Sequence, residues 1–239
     1  MNNQSPIIVV GATSRLAIEI CRIAVQSRPG QEFVLHSRPP LQRLERIAAD
    51  LRTRRAGRIT LEGPNAPTEK REFSLLLIAQ GSLTEQDRVA RDKEYLRKEW
   101  EANTTDILEW LEWGALWVEN HGGDIAVITS VASDRAKKSN YTYGAAKAAL
   151  DFALAGLRHR LHSHGHGKAG KVITIKPGPT RTPMTENIEK PLADPEKVAR
   201  GIWTGIQKGR KVVYAPSHWR YIMGVIKQIP DAIWHRTNL

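Results

Sequence analysis

Residues 7–17 read IIVVGATSRLA. Ile7-Ile8-Val9-Val10 is a short, wholly apolar, β-branched run, the composition of a strand buried on both faces. It runs straight into Gly11, and from Leu16 onward apolar residues return at Ile20, Ile23 and Ala24, one side of an amphipathic helix. Strand, glycine turn and helix form the opening unit of a dinucleotide-binding fold. In that unit the helix N-terminus turns backbone N–H groups and a positive dipole end toward a pyrophosphate. Gly11, Thr13, Ser14, Arg15 and Leu16 occupy the turn. The loop is degenerate, because Arg15 stands where a second glycine is usual and Ala17 where the third is. Taken alone, it also reads as an ordinary strand-to-helix turn.

The rest of the chain extends the same pattern. Residues 32–37 (EFVLHS) read as a second strand, 41–55 as a helix and 58–62 as a third strand. The near-continuous apolar run 73–79 (FSLLLIA) suits a central parallel strand. A long helical pattern covers 87–120, read as two helices, with tryptophans expected in core and subunit contact. Residues 124–130 (DIAVITS) form a fifth strand, 142–162 a helix, 171–176 (KVITIK) a sixth strand and 211–214 a seventh. Alternating strands and helices predict an α/β protein: a single Rossmann-like, doubly wound domain whose parallel seven-stranded sheet is flanked by helices. The domain covers 1–216, and 217–239 is its basic amphipathic helical tail. In such sheets ligands lie beyond the carboxyl ends of the strands. Gly11, Arg38, Gly81, Ser130 and Pro177-Gly178 all fall at strand ends, and their coincidence at one rim lifts the glycine loop above an isolated match.

Chemistry is written in the second half. Tyr143 and Lys147 are four residues apart on a helix, hence on one face, and Ser130 closes a strand thirteen residues before the tyrosine. An ammonium beside a phenol favours the phenolate, so Lys147 is expected to lower the Tyr143 pKa from about 10. Ser130 is placed to hold a carbonyl oxygen beside that phenol. This is a carbonyl-reducing constellation wherever a hydride donor is near.

These residues resemble the short-chain dehydrogenase/reductase family over essentially the whole chain. The carried pattern is the turn at Gly11, Asn103, Ser130, Tyr143-x-x-x-Lys147, and Pro177-Gly178 followed by Thr182. The resemblance implies Tyr143 as proton donor, Lys147 as the group that tunes it and binds the nicotinamide ribose, and Ser130 as the residue positioning the carbonyl. It also implies that Asn103 orders a water in a proton relay, and that Ala79, Gly81, Pro177, Gly178, Thr180 and Thr182 contact the cofactor. Ser130-Val131-Ala132, the basic stretch 135–138, Ser139-Asn140-Tyr141, the run 177–182 (PGPTRT) and the tail with Trp219-Arg220-Tyr221 are similar to a subgroup, the reductase subunit of decaprenylphosphoryl-ribose 2'-epimerase. That likeness implies reduction of a keto sugar linked to polyprenyl phosphate (2-keto-ribose to arabinose type) in cell-envelope synthesis, alongside a separate flavin-dependent oxidase. Arg135, Lys137, Lys138 and Arg181 would then meet the phosphate. The likeness is good in the C-terminal half and loose over 38–100. Departures fall at Arg15, at Gly63-Pro64-Asn65 and at Ile78-Ala79-Gln80-Gly81, all near the phosphate and adenine end.

The acid that binds a ribose 2'-hydroxyl is expected about twenty residues after the glycine turn. The second strand instead ends His36-Ser37-Arg38. An arginine there suits a 2'-phosphate, so NADPH is favoured over NADH.

Net charge is +11, with no zinc-finger or RNP-type signature, which leaves nucleic acid disfavoured. The one cysteine, Cys21, forbids an internal disulfide and fits a reducing cytoplasm. No signal core or spanning segment is read, so the expected location is cytoplasmic, with peripheral contact at the inner face of the membrane through the tail. Trp219, Ile222, Met223, Ile226 and Ile229 form an apolar stripe beside Arg220, Lys227 and Arg236, which suits a membrane interface, a partner subunit or a cover for the cleft. The family implies a homo-oligomer. His162, His164 and His166 in a Ser/Gly-rich turn read as a solvated loop rather than a metal site. Two other functions stay open: a soluble ketoreductase of a small or acyl-linked substrate, and a non-catalytic cofactor sensor on the same fold.

Overall fold

A computed structural model describes residues 5–69, 71–163, 170–186 and 191–237. Seven parallel strands form one sheet in the order β3-β2-β1-β4-β5-β6-β7: β1 Ile7–Val10, β2 Phe33–His36, β3 Ile59–Glu62, β4 Leu75–Ile78, β5 Asp124–Ile128, β6 Val172–Pro177 and β7 Val212–Ala215. The doubly wound α/β architecture is as the sequence predicts. The order reverses at β1, which pairs with β2 on one side and β4 on the other, and this opens a crevice at the carboxyl ends.

The apolar runs are continuous because both sheet faces are covered. Alternate residues of β1 go to opposite cores. Ile7 and Val9 join a cluster with Leu35, Leu77, Ile175 and Ile202, while Ile8 and Val10 join Leu76, Ile78, Trp110 and Leu154. The first core is closed by α1 (Arg15–Ser27), α2 (Gln42–Thr53) and α7 (Pro195–Gln207), the second by α5 (Asp106–His121) and α6 (Tyr141–Ser163).

Helix boundaries depart from the sequence reading in two places. The 87–120 pattern is three helices, α3 (Gln86–Val89), α4 (Lys93–Trp100) and α5, with a π-helical turn at Glu101–Thr105 between the last two. The sequence reading assigned no helix between the last two strands, yet α7 lies there. Its start was written in Asp194-Pro195: the Asp194 carboxylate accepts the Lys197 N–H at 3.0 Å, and proline fits the first turn. Trp110 is buried as expected of core, whereas Trp100 is exposed. The tail holds α8 (Trp219–Ile226) and α9 (Asp231–Trp234). His162 ends α6 on its exposed side; His164 and His166 lie outside the described residues. Among the described residues no cluster of metal-ligating side chains occurs, and no helix is long and apolar enough to cross a membrane.

Candidate active site

Because all strands are parallel, β1, β2, β4, β5 and β6 end on one rim. The cleft above it has a volume of about 410 Å³, within the range of small-molecule and cofactor sites. Gly11, Thr13, Ser14, Arg15, Leu16, Arg38, Ala79, Gly81, Ser130, Tyr143, Lys147, Pro177, Gly178, Thr180 and Thr182 all line it. Of the residues singled out from sequence, Asn103 stands behind the wall.

At one end the reactive groups converge. Ser130 follows β5 in extended conformation; its hydroxyl accepts the Ala132 N–H at 3.1 Å and acts on the Tyr143 phenol beside it in the cleft. Lys147 lies one turn along α6, with Nζ 5.7 Å from the Tyr143 ring centre. Burial raises the Tyr143 phenol to about 12, with the Ser130 hydroxyl pulling the other way. Burial also pushes the Lys147 ammonium down to about 8, opposed by the charge of Asp151. The expectation that Lys147 acidifies the phenol is therefore corrected. Loss of solvation disfavours the phenolate more than that hydroxyl favours it. Tyr143 keeps its proton at neutral pH, the state a proton donor needs.

Asn103 lies in the π-helical turn, fully buried. Its Nδ2 donates to the Glu99 carbonyl at 2.9 Å and to Ser82 Oγ at 3.2 Å, and its Oδ1 accepts the Ser82 N–H at 3.2 Å. Glu99 in turn accepts the hydroxyls of Ser82 at 2.8 Å and Thr84 at 3.1 Å. The π turn thus ties the loop after β4 to α4 and fixes Gly81, where a side-chain carbon would come within 2.8 Å of both Asn103 Oδ1 and Lys147 Nζ. The side-chain role seen for Asn103 is to shape this wall.

The other end is built for an anion. Gly11 has φ +73°, and a Cβ there would sit 2.7 Å from the Gln80 nitrogen, so the close turn admits glycine alone without rearrangement. Ser14 caps α1 without a side-chain hydrogen bond, and the first turn carries no acid, which leaves this N-terminus open to a negative ligand. Arg38 and Arg43 are exposed and line the cleft on either side of Pro39-Pro40. Arg15 also lines it, but its guanidinium pairs with Glu19 at 2.9 Å. Arg43 escaped the sequence reading; its signal was its place in the first turn of the helix just beyond Arg38. The turn, the helix end and the arginines fit a dinucleotide carrying phosphate on this side.

The tail completes the wall. Trp219 and Met223 of α8 line the cleft. Trp219 stacks so closely over Gly178 that a Cβ there would come 2.0 Å from its Nε1. Arg135 anchors α9: its Nη2 donates to the Ile229 carbonyl at 3.1 Å and to Asp231 at 2.5 Å, and its guanidinium sits 5.2 Å from the Trp234 ring centre. Arg135 is thereby spent on the fold and does not face a phosphate, contrary to expectation, whereas Lys137 does line the cleft.

The family model for short chain dehydrogenase matches residues 90–193. An uncharacterized oxidoreductase of Mycobacterium tuberculosis is 34% identical over 116 residues, 48% of this chain and 45% of that protein. An uncharacterized oxidoreductase of Streptomyces coelicolor is 30% identical over 124 residues, 52% of this chain and 48% of that protein. The alignments thus span about half the length of these curated relatives. Among solved structures, a short-chain dehydrogenase of Burkholderia cenocepacia in complex with NADP superposes with TM-score 0.75 at 20% identity, covering 98% of each chain. One of Sphingobium yanoikuyae in complex with NADPH gives 0.77 at 20%, covering 95% of this chain and 97% of the other. The match over residues 90–193 and the shared fold are thus a likeness to short-chain dehydrogenases.

Proposed function

We propose that the protein is an NADPH-dependent carbonyl reductase. The observation that carries this reading is a single cleft lined by Ser130, Tyr143 and Lys147 at one end and by the Gly11 turn with Arg38 and Arg43 at the other. Bound along it, a reduced nicotinamide cofactor supplies hydride. The Ser130 hydroxyl holds the carbonyl oxygen, and Tyr143 gives its proton to that oxygen as negative charge develops there. The Lys147 ammonium then faces the phenolate that remains. Arg38 and Arg43 suit the 2'-phosphate that separates NADPH from NADH. The short-chain dehydrogenases of similar fold that bind NADP and NADPH support the same preference. Stronger thermal stabilisation by NADPH than by NADH, together with NADPH oxidation in the presence of ketones, is expected; preferential stabilisation by NADH overturns the cofactor assignment.

The substrate in this reading is a keto pentose on polyprenyl phosphate, delivered by a flavin-dependent oxidase. The motifs of the C-terminal half support it, as do Met184, Trp219 and Met223, which line the same cleft as Lys137. Exposed Tyr221 and Val225 beside Arg220 and Lys227 suit a lipid surface from which such a substrate would come. Turnover of the lipid-linked keto pentose exceeding that of short soluble ketones is expected; efficient turnover of soluble ketones alone removes the lipid.

A further inference from the structure

Behind Tyr143 and Lys147 lies a group of buried charges that proton donation does not itself use. Lys176 in β6 is 7% exposed. Its Nζ lies 2.7 Å from Asp134 Oδ1 and 2.5 Å from Asp151 Oδ2. Asp134 stands just past the short turn that begins at Ser130; it also accepts the Tyr214 hydroxyl at 2.8 Å and lies 3.8 Å from Lys227 Nζ of the tail. Asp151 sits four residues after Lys147 on α6, so the two share a helix face.

Two features of this group call for an account. Asp151 Oδ1 is buried with no hydrogen-bond partner among the described residues, an arrangement that costs stability. Two carboxylates also share the buried Lys176 ammonium, and among the described residues only Asp134 has a second cation, Lys227, within 4 Å. Lys147, 2% exposed, is the cation one turn away on the face of Asp151.

We propose that Asp151, tethered by Lys176, is a positioning residue for the reaction and holds the Lys147 ammonium in the cleft. This rests on the role given to Lys147 above. The surroundings of Lys147 are otherwise poor in charge. Tyr143 and Asp151 reach it from α6, while the loop after β4 brings Gly81 and the π turn brings Asn103, both uncharged. Lys176 from β6, Arg158 from α6 and Tyr214 from β7 act on it through Asp151, whose charge all three meet. Asp151 is the charge that raises the Lys147 pKa against the effect of burial. Its bare oxygen then has a purpose: the negative field it keeps is felt by the lysine rather than quenched by a hydrogen bond.

The test reads the lysine directly. In the full chain carrying isotope-labelled lysine, the Lys147 signal is identified by its loss in Lys147→Met and followed by NMR against pH. Asp151→Asn is expected to lower its midpoint by about one pH unit or more. Lys176→Gln, which releases the charge of Asp151, is expected to raise it, and Asp151→Glu to return it toward the parent value. General loosening of the core cannot move the first two variants in opposite directions. Unchanged midpoints, or shifts of the same sign in both, overturn the proposal; should Asp151→Asn fail to fold, the direction in Lys176→Gln decides alone. With a ketone and NADPH, the alkaline limb of the rate should move with the lysine. If the lysine shifts as stated but no ketone is reduced, the proposed function fails while this inference stands. If reduction occurs and the lysine does not shift, the reverse holds.

Discussion

The two ends of the cleft are made differently. At the Tyr143 end the groups are packed together: Tyr143 and Lys147 are buried, the charge of Asp151, paired with Lys176, acts on Lys147, and the loop carrying Gly81 is tied to a π turn through Ser82, Asn103 and Glu99. At the Gly11 end the backbone is held closely, but the side chains that would select the ligand, Arg38 and Arg43, stand exposed. Burial lets small displacements of charge matter, because the local dielectric is low and water does not screen them. The end proposed for chemistry is buried and costly to the fold, while the end proposed for phosphate relies on charge and backbone.

The contrast is broken most directly at Tyr143. Tyr143→Phe should reduce kcat by about a thousandfold while leaving NADPH-induced thermal stabilisation in place. Loss of cofactor binding instead would mean that the two ends are not separable. At the exposed end, the double change Arg38→Ser with Arg43→Ser should raise the KM for NADPH by about 10- to 100-fold and leave that for NADH within about threefold. Equal effects on both cofactors would remove the 2'-phosphate from the account.

A third measurement asks whether the chemical end does cost stability. The unfolded chain holds the Lys147 proton to 10.5 and the folded chain releases it near 8. Between those values the unfolded state binds more protons, so this group makes stability rise with pH; its cost is fully present below 8 and gone above 10.5. Lys147→Met should therefore be more stable than the parent at pH 7, by up to about 3 kcal/mol, with the gap closing toward pH 10 and turnover lost throughout. A variant less stable at pH 7 would show that the ammonium supports the fold. The smallest expected effect is at the tail wall: Trp219→Ala should raise KM for bulky apolar ketones about 5- to 10-fold and leave small ketones unchanged.

Much of this cleft was readable along the chain. The apolar runs at 7–10 and 73–79 mark central strands because a parallel sheet is covered on both faces, and strand ends then place Gly11, Gly81, Ser130 and Pro177 on one rim without knowledge of contacts. The Tyr143–Lys147 spacing is a property of any helix. Less readable was α7, although Asp194-Pro195 and the apolar face of Val198, Ala199, Ile202 and Ile206 announce it. Arg43 is a lone surface arginine until the rim brings it beside Arg38. Arg135, one of four basic residues that charge alone would assign to a phosphate, is held by Asp231, 96 residues away.

Local pattern and spacing were enough to establish the sheet and the rim and to single out Ser130, Tyr143 and Lys147 as one group, because periodicity and helix geometry are set by neighbours along the chain. The protonation states of those side chains belong to the folded molecule. Tyr143 is pushed up and Lys147 down by the solvent they lose, against the opposing pull of Ser130 and the charge of Asp151, and desolvation is a sum over everything packed nearby, which no stretch of sequence carries on its own.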